Sequence, residues 1–375
     1  TKEKSVMAKF NNEYDYIFHL LSSVLKGTQP EEKPESLDWQ KIFHICKRHC
    51  VENMAFYAVE KLENGPESEL KKKWSDKRDR GIIRDFTQLH EFNMATAEFA
   101  KEGIRYLALK GVYLKDLYPQ RDMRSMSDID ILVDVENLPK VNDILVNMGY
   151  TVRVEEDEDH DNYSKKPYTI IEVHRSLFSH GGERFHDLFA DPWAIATEQE
   201  PYSWNYDKNW FFIYLFSHLA KHYQSAGTGI RSIMDIWVYL RAYENELDFD
   251  FIYKQLDKVN GTQLCKDIIQ LSKIWFDGEK SSDKFDNMAN YVLDCGVFGK
   301  RLNISYNNIR KMGKFRFMLF RVFPPLSVMK PMYPILKKAP ILLPFAWIHR
   351  GFVCLIFKRK KITKELNYIN NDKQI

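Results

Sequence analysis

At Gly103 the spacing of the apolar residues changes, and that change restricts the chain to a fold that mixes helices with a sheet. Upstream, Ile42, Ile45, Cys46 and His49, then Met54, Ala55 and Ala58, recur at three- and four-residue steps, the period of a helix with one buried side. A second long helix spans about Asp76 to Glu102, with Ile83, Phe86, Leu89, Phe92, Ala95 and Phe99 along one flank. Downstream, Ile104 to Leu109 is a short apolar run closed by Lys110-Gly111, and Val112 to Tyr118 reads as a helix before Pro119. Ile129 to Val135 is an apolar strand set among aspartates, and Leu138 to Met148 is a helix stopped by Gly149. Thr151 to Glu155 and Tyr168 to His174 are further strands, separated by an acidic loop from Glu155 to Asp161.

This order predicts an α+β fold: a small mixed β-sheet core with helices on one face, flanked by N-terminal and C-terminal helical regions. The expected divisions are a helical region at 1–102, the sheet-bearing core at 103–200, and a helical region at 201–375 ending in a basic, aromatic tail. Within the last of these, Trp210 to Tyr223 and Ile230 to Asn245 return to helical spacing. A chain of 375 residues suits two or three packed units.

Charge is unevenly shared. From Val297 onward there are 17 Lys and Arg against two acids, Glu365 and Asp372; that is +15, so a total of +3 leaves −12 for the remainder. Such a tail faces something anionic: phosphate, nucleic acid, a lipid surface or the acidic body of the same protein. The apolar segment Ala339 to Phe357 raises the question of a membrane span, but Pro340, Pro344, His349 and Arg350 interrupt it. A core-packing or interfacial segment is the better reading, its basic flank Lys358 to Lys361 facing anionic lipid or folded against the acidic body. Five cysteines, odd in number and mostly scattered, do not form a disulfide framework, and the charged first thirty residues lack a secretion signal; both predict a cytoplasmic protein.

Asp128-Ile129-Asp130 opens a strand, where residues two apart share a face, so both carboxylates can reach one hard cation while Ile129 turns into the core. Glu172, in the apolar run Ile170 to Val173, offers a third carboxylate; an unpaired acid in such a strand is costly, and metal coordination is one way to pair it. Lys110-Gly111 falls at a strand-to-helix turn suited to phosphate, and Arg121 and Arg124 precede the acidic pair within reach of the same phosphates. His174 can orient Glu172 or a phosphate. His218 and His222 read as packing residues, as do His44, Cys46, His49 and Cys50, which share one helix and cannot surround a single ion. Arg231 and Asp235, four apart, read as an intrahelical ion pair.

Leu109-Lys110-Gly111, Tyr118-Pro119, Arg121, Ser127 to Val133, Gly149-Tyr150 and Ile171 to His174 together resemble a bacterial family of uncharacterised nucleotidyltransferases within the polymerase-beta-like superfamily. Trp39 with Arg48 to Val51, and His218 to His222 with Arg231 to Asp235, resemble that family's flanking helices. The resemblance implies transfer of a nucleoside monophosphate from a nucleoside triphosphate to an acceptor, with release of pyrophosphate. It further implies Mg2+, two ions, with Mn2+ as the alternative, held by Asp128, Asp130 and Glu172. Lys110, Gly111, Arg121, Arg124 and Ser127 would bind the nucleotide, and Glu172 would help deprotonate the acceptor. The serine that usually follows the glycine is here Val112. The acceptor is left open among a sugar or other small molecule, a lipid-linked intermediate and a protein. The alternatives are a catalytically inactive nucleotide-binding or membrane-associated scaffold, and an enzyme directed to RNA; nucleic acid ranks below a small or lipid-linked acceptor because the tail lacks an RNA-binding motif. The basic tail adds a peripheral contact with anionic lipid at the inner membrane face.

Overall fold

The computed structural model describes residues 12–153, 159–178, 184–296, 309, 312–330 and 332–357. It divides into two compact units, one of residues 1–221 with 229–297 and the other of 222–228 with 298–375.

The first unit begins with four helices: α1 (Glu13–Lys26), α2 (Trp39–Arg48), α3 (Glu52–Val59) and the 34-residue α4 (Ser68–Lys101). Asn12 and Asp38 cap α1 and α2 by accepting hydrogen bonds from backbone N–H groups of the first turn. The sheet follows, built from β1 (Tyr106–Ala108), β2 (Ile129–Val133), β3 (Thr151–Arg153), β4 (His160–Lys165), β5 (Thr169–His174), β6 (Ala196–Glu200) and β7 (Ser203–Tyr206), with α5 (Gly111–Leu114) after β1 and α6 (Leu138–Asn147) after β2. Its order is β3-β4-β5-β2-β1-β7-β6. β2 runs parallel to β5 and antiparallel to β1, so the aspartate-bearing strand lies in the middle of a mixed sheet. The unit closes with α7 (Lys208–Tyr223), α8 (Ile230–Tyr243), α9 (Phe249–Asp257), α10 (Thr262–Asp277) and α11 (Asp283–Cys295).

The α+β architecture agrees with the sequence, and the sheet is larger than the apolar pattern suggested. β4 occupies part of the segment expected as an acidic loop and carries His-Asp-Asn-Tyr-Ser-Lys, a run whose lone large apolar residue is Tyr163. The helix expected at Val112 to Tyr118 is only α5 followed by a 3-10 turn at Lys115–Leu117.

Ile129, Ile131 and Val133 of β2 and Ile171 and Val173 of β5 face one core with Ala95 and Phe99 of α4 and Val141 and Leu145 of α6. The middle of α4 departs from the expected apolar flank: Phe86 and Ile83 are exposed, while Asp85, Gln88 and Glu91 are buried. Each of these three side chains has a hydrogen-bond partner that offsets its desolvation, although Gln88 Oε1 is buried without one. Asp85 accepts from Lys115 at 2.7 Å, Gln88 donates to the Met126 carbonyl at 3.2 Å, and Glu91 accepts from Tyr150 and Lys165 at 2.8–2.9 Å.

His49, one of the histidine–cysteine group on α2 and its C-terminal flank, is fully buried; its Nδ1 accepts from the Ile230 N–H and its Nε2 faces the Leu293 carbonyl, both at 3.2 Å. One acceptor and one donor describe a neutral ring, and burial with the nearby Arg48 charge lowers its pKa to about 4.

In the second unit the described helices are α12 (Lys314–Val322), α13 (Leu326–Met329), α14 (Ile335–Lys338) and α15 (Leu343–Phe357). Met329, Leu336 and Ala346 form a small core there, packed by Trp347. No described helix is long and apolar enough to cross a membrane. Lys358 to Lys361 lie outside the described residues.

Candidate functional site

The carboxylate group expected from the sequence is organised by strand register. β2 and β5 pair Asp130 directly with Glu172, and Leu132 with His174, so Asp130 and Glu172 stand side by side on the sheet face opposite the Ile129/Ile131/Val133 core. Asp128 precedes β2 by one residue.

Asp130 is 5% exposed and doubly partnered: its Oδ1 lies 2.9 Å from His174 Nε2, and its Oδ2 lies 3.1 Å from Lys110 Nζ. Burial alone would raise its pKa; the Lys110 ammonium and the His174 hydrogen bond prevail and hold it well below the usual carboxylate range. Asp128 responds in the opposite direction. Burial and the charges of Asp130 and Glu172 push it up to about 6, with Lys110 and Arg231 opposing. For His174, burial works against the charged form, but the hydrogen bond to Asp130 and the nearby Glu172 carboxylate outweigh it and raise its pKa. Its Nδ1 is buried without a hydrogen-bond partner.

Lys110 reaches Asp130 because β1 and β2 are antiparallel neighbours and the pairing is extended by Leu109 N–H donating to the Asp130 carbonyl at 2.9 Å. Lys110 itself adopts φ +33°, a backbone region that favours glycine and one where strain gathers at functional sites. Gly111 answers a different need. A Cβ there would stand 2.4 Å from Met126 Sδ and 3.0 Å from Arg124 Nη1, so the glycine allows the turn to lie against the loop that leads into β2. Val112, where a serine was expected, is buried in the core shared with Ile129 and Ile131.

That loop is irregular but held from three helices. Tyr57 of α3 donates to Asp122 at 2.9 Å, Gln88 of α4 donates to the Met126 carbonyl, and Arg231 of α8 donates to the Ser125 carbonyl at 2.7 Å. Arg124 is buried and makes a bidentate pair with Asp235 of α8 at 2.8 and 2.9 Å, and Asp235 also accepts from Tyr118 at 2.7 Å. Asp235 is therefore the partner of Arg124, not of Arg231 as the four-residue spacing suggested. Arg121 is ion-paired with Asp116 and lies 3.5 Å from Asp85, and Ser127 is exposed beside Asp128. The loop thus presents Ser127 and Asp128 at the rim while Arg124 anchors it from below.

The side chain that sequence reasoning missed is His160. In the antiparallel β4–β5 pair it stands opposite His174, and Asn162 stands opposite Glu172. His160 Nε2 and His174 Nε2 each lie 3.7 Å from Glu172 Oε2, and the ligating atoms of these three residues all fall within 4.8 Å of one another. β4 lacks the apolar alternation that marks a strand, so no periodic signal pointed to it.

The donor chemistry suits a divalent cation: Asp130 and Glu172 side by side on one face with Asp128 close by, its pKa driven up by burial and by the charges of the other two, and a lysine countering that charge. A cleft of about 1010 Å³ opens elsewhere, between α1, α10 and α11, and its lining includes none of these residues.

Residues 35–277 match the model of a family described as uncharacterised nucleotidyltransferase, a span that takes in α2 to α4, all seven strands and α7 to α10. No curated protein matches the chain.

Proposed function

The chain belongs to this uncharacterised nucleotidyltransferase family, and on that premise we propose that it moves a nucleoside monophosphate from a nucleoside triphosphate to an acceptor, releasing pyrophosphate, in a metal-dependent reaction of the polymerase-beta-like type. The observation that carries the metal part is the register match of Asp130 with Glu172 on neighbouring parallel strands, with Asp128 two residues before Asp130.

Asp128, Asp130 and Glu172 would hold Mg2+, which when bound supplies charge neutralisation at the reacting phosphate. Asp130, kept ionised by Lys110 and His174, is the permanent acceptor of that charge. Asp128 is the ligand whose repulsion a cation relieves. Lys110, 3.1 Å from Asp130, would be the cation that meets the phosphates, with Ser127 beside Asp128 to join it, whereas Arg121 is held by Asp116 and Asp85. Arg124 acts as a positioning residue through the loop. Glu172 takes the acceptor's proton. Positioning and charge neutralisation suffice for such a transfer, since phosphoryl chemistry asks little covalent work of the protein.

Incubation with labelled nucleoside triphosphates, Mg2+ and fractionated small molecules, lipids and proteins should label an acceptor with wild-type protein, and chelation or Asp130→Asn should end the labelling. Labelling that survives both would show that the carboxylates are not the site.

The second unit favours an acceptor at a lipid surface. Phe315, Ile341, Phe345, Ile348 and Phe352 are 59–84% exposed, and the chain from Val297 to Lys364 carries basic residues and no acid. Exposed apolar side chains with a cationic surround suit an anionic bilayer surface. The full chain should sediment with vesicles containing an anionic phospholipid and stay in solution with zwitterionic ones; equal behaviour with both would remove the lipid reading.

A further inference from the structure

We propose that His160, Glu172 and His174 form a seat for an imidazole-accepting divalent ion of the zinc class, distinct from the magnesium pair Asp128 and Asp130 but sharing Glu172 with it. The inference does not depend on the nucleotide chemistry, because it concerns only what three side chains on adjacent strands can bind.

The arrangement follows from register. β4 and β5 are antiparallel, His160 is directly opposite His174, and Glu172 is two residues before His174, so the pleat sends all three side chains to one face. The distances to Glu172 then favour a shared ion over a direct hydrogen bond. Both imidazole Nε2 atoms lie 3.7 Å from the same carboxylate oxygen, Glu172 Oε2. That is too long for a hydrogen bond. Two donors each about 2.0–2.1 Å from one ion stand roughly 3.3–3.6 Å apart at tetrahedral or trigonal angles, so a contraction of about 0.1 Å or more brings each imidazole and the carboxylate to that separation. The two rings are tilted by 37° with centroids 5.0 Å apart.

Two histidines and one carboxylate form a borderline donor set, better matched to zinc than to magnesium, which prefers oxygen throughout. Three protein ligands leave a position open, as in catalytic rather than structural zinc sites. The His160 and Glu172 side chains are 21% and 20% exposed, so the open position is reachable by water or by an anionic oxygen of a substrate. Binding exchanges the hydrogen bond between His174 Nε2 and Asp130 for coordination and leaves Asp130 with Lys110 at 3.1 Å.

Cobalt(II) is the probe, added to the metal-stripped full chain in the absence of nucleotide. The expected result is stoichiometric binding with the ligand-field absorption of a low-coordinate ion, displaced by zinc and retained in excess magnesium. His160→Gln and Glu172→Gln should each weaken cobalt binding by roughly 10- to 100-fold or more, at least the loss that outer-shell changes cause, with the circular dichroism of the fold intact. Asp128→Asn should end nucleotide labelling and leave cobalt affinity unchanged, which separates failure of this seat from failure of the transferase reading. Absence of the absorption in the wild type, displacement by magnesium, or unchanged affinity in a folded His160→Gln protein would overturn the proposal.

Discussion

Asp128→Asn is expected to make the protein more stable at neutral pH and inactive in nucleotidyl transfer, two effects of opposite sign from one substitution. In the folded chain the Asp128 carboxyl is pushed up to about 6 by burial and by the charges of Asp130 and Glu172. An unfolded chain leaves such a group near its ordinary value of about 3.9. Because the folded pKa is the higher one, the unfolded state sheds this proton first, and stability falls as pH rises from about 4 to about 6. Above that window the ionised carboxylate weighs against folding by at most about 3 kcal/mol, given 1.36 kcal/mol per pKa unit; partial exposure and salt reduce this to about 1–2 kcal/mol. Asparagine keeps the shape and removes the charge. Urea unfolding in chelator should therefore show the variant ahead of wild type at pH 7 and level with it near pH 4. With Mg2+ and nucleotide present, the variant should lose about a thousandfold in transfer rate, comparable with losing one preorganised electrostatic group at a reacting centre or more. A variant that is less stable at pH 7, or one that retains transfer, would contradict the placement of Asp128 in a crowded carboxylate group.

What could be read from the sequence divides along a physical line. Asp130 and Glu172 were visible because each belongs to an apolar strand whose two-residue period declares which side chains share a face, and Asp128 because it stands one residue before the same strand as Asp130. Whether Glu172 stood beside Asp130 depended on the pairing of β2 with β5, which strand periodicity alone does not specify. His160 was invisible for a related reason: β4 is polar along most of its length and gains its place from backbone pairing with β3 and β5. The middle of α4 misled in the opposite sense. Its apolar residues Ile83 and Phe86 are exposed, while Asp85, Gln88 and Glu91 serve as buried anchors for Lys115, the Met126 carbonyl, Tyr150 and Lys165. Amphipathic spacing assumes that the buried side of a helix is apolar, and that assumption fails where a helix must hold an irregular loop. Lys110-Gly111 was recognised as a turn, but the division of labour within it was not. The lysine takes the positive φ, and the glycine provides room for Met126 and Arg124.

The loop's anchor leads to the second large effect, an expected loss of about 3–5 kcal/mol of stability in Arg124→Ala. A buried ion pair is weak evidence of net stabilisation, because desolvating both charges costs nearly what their attraction returns. Removing one partner is a different matter. Asp235, 4% exposed, would keep its charge with the Tyr118 hydroxyl as its remaining described hydrogen bond. Arg124→Lys should recover less than half of the loss, since an ammonium cannot reproduce the two parallel bonds at 2.8 and 2.9 Å. The double variant Arg124→Met with Asp235→Leu should lie closer to wild type than either Arg124→Ala or Asp235→Ala, because it leaves no buried charge unpaired. Activity should not follow stability in this series. The Lys110-Gly111 turn lies against Arg124 Nη1, at 3.0 Å from where a glycine Cβ would stand, and the same loop delivers Ser127 and Asp128. The double variant should therefore fold and still transfer nucleotide poorly, through a misplaced Asp128. Denaturant unfolding of all four variants, with transfer rates measured on the folded fraction, decides the matter: an Arg124→Ala protein within about 1 kcal/mol of wild type would show that Asp235 finds another partner, and a fully active double variant would show that the clamp does not set the position of the carboxylates.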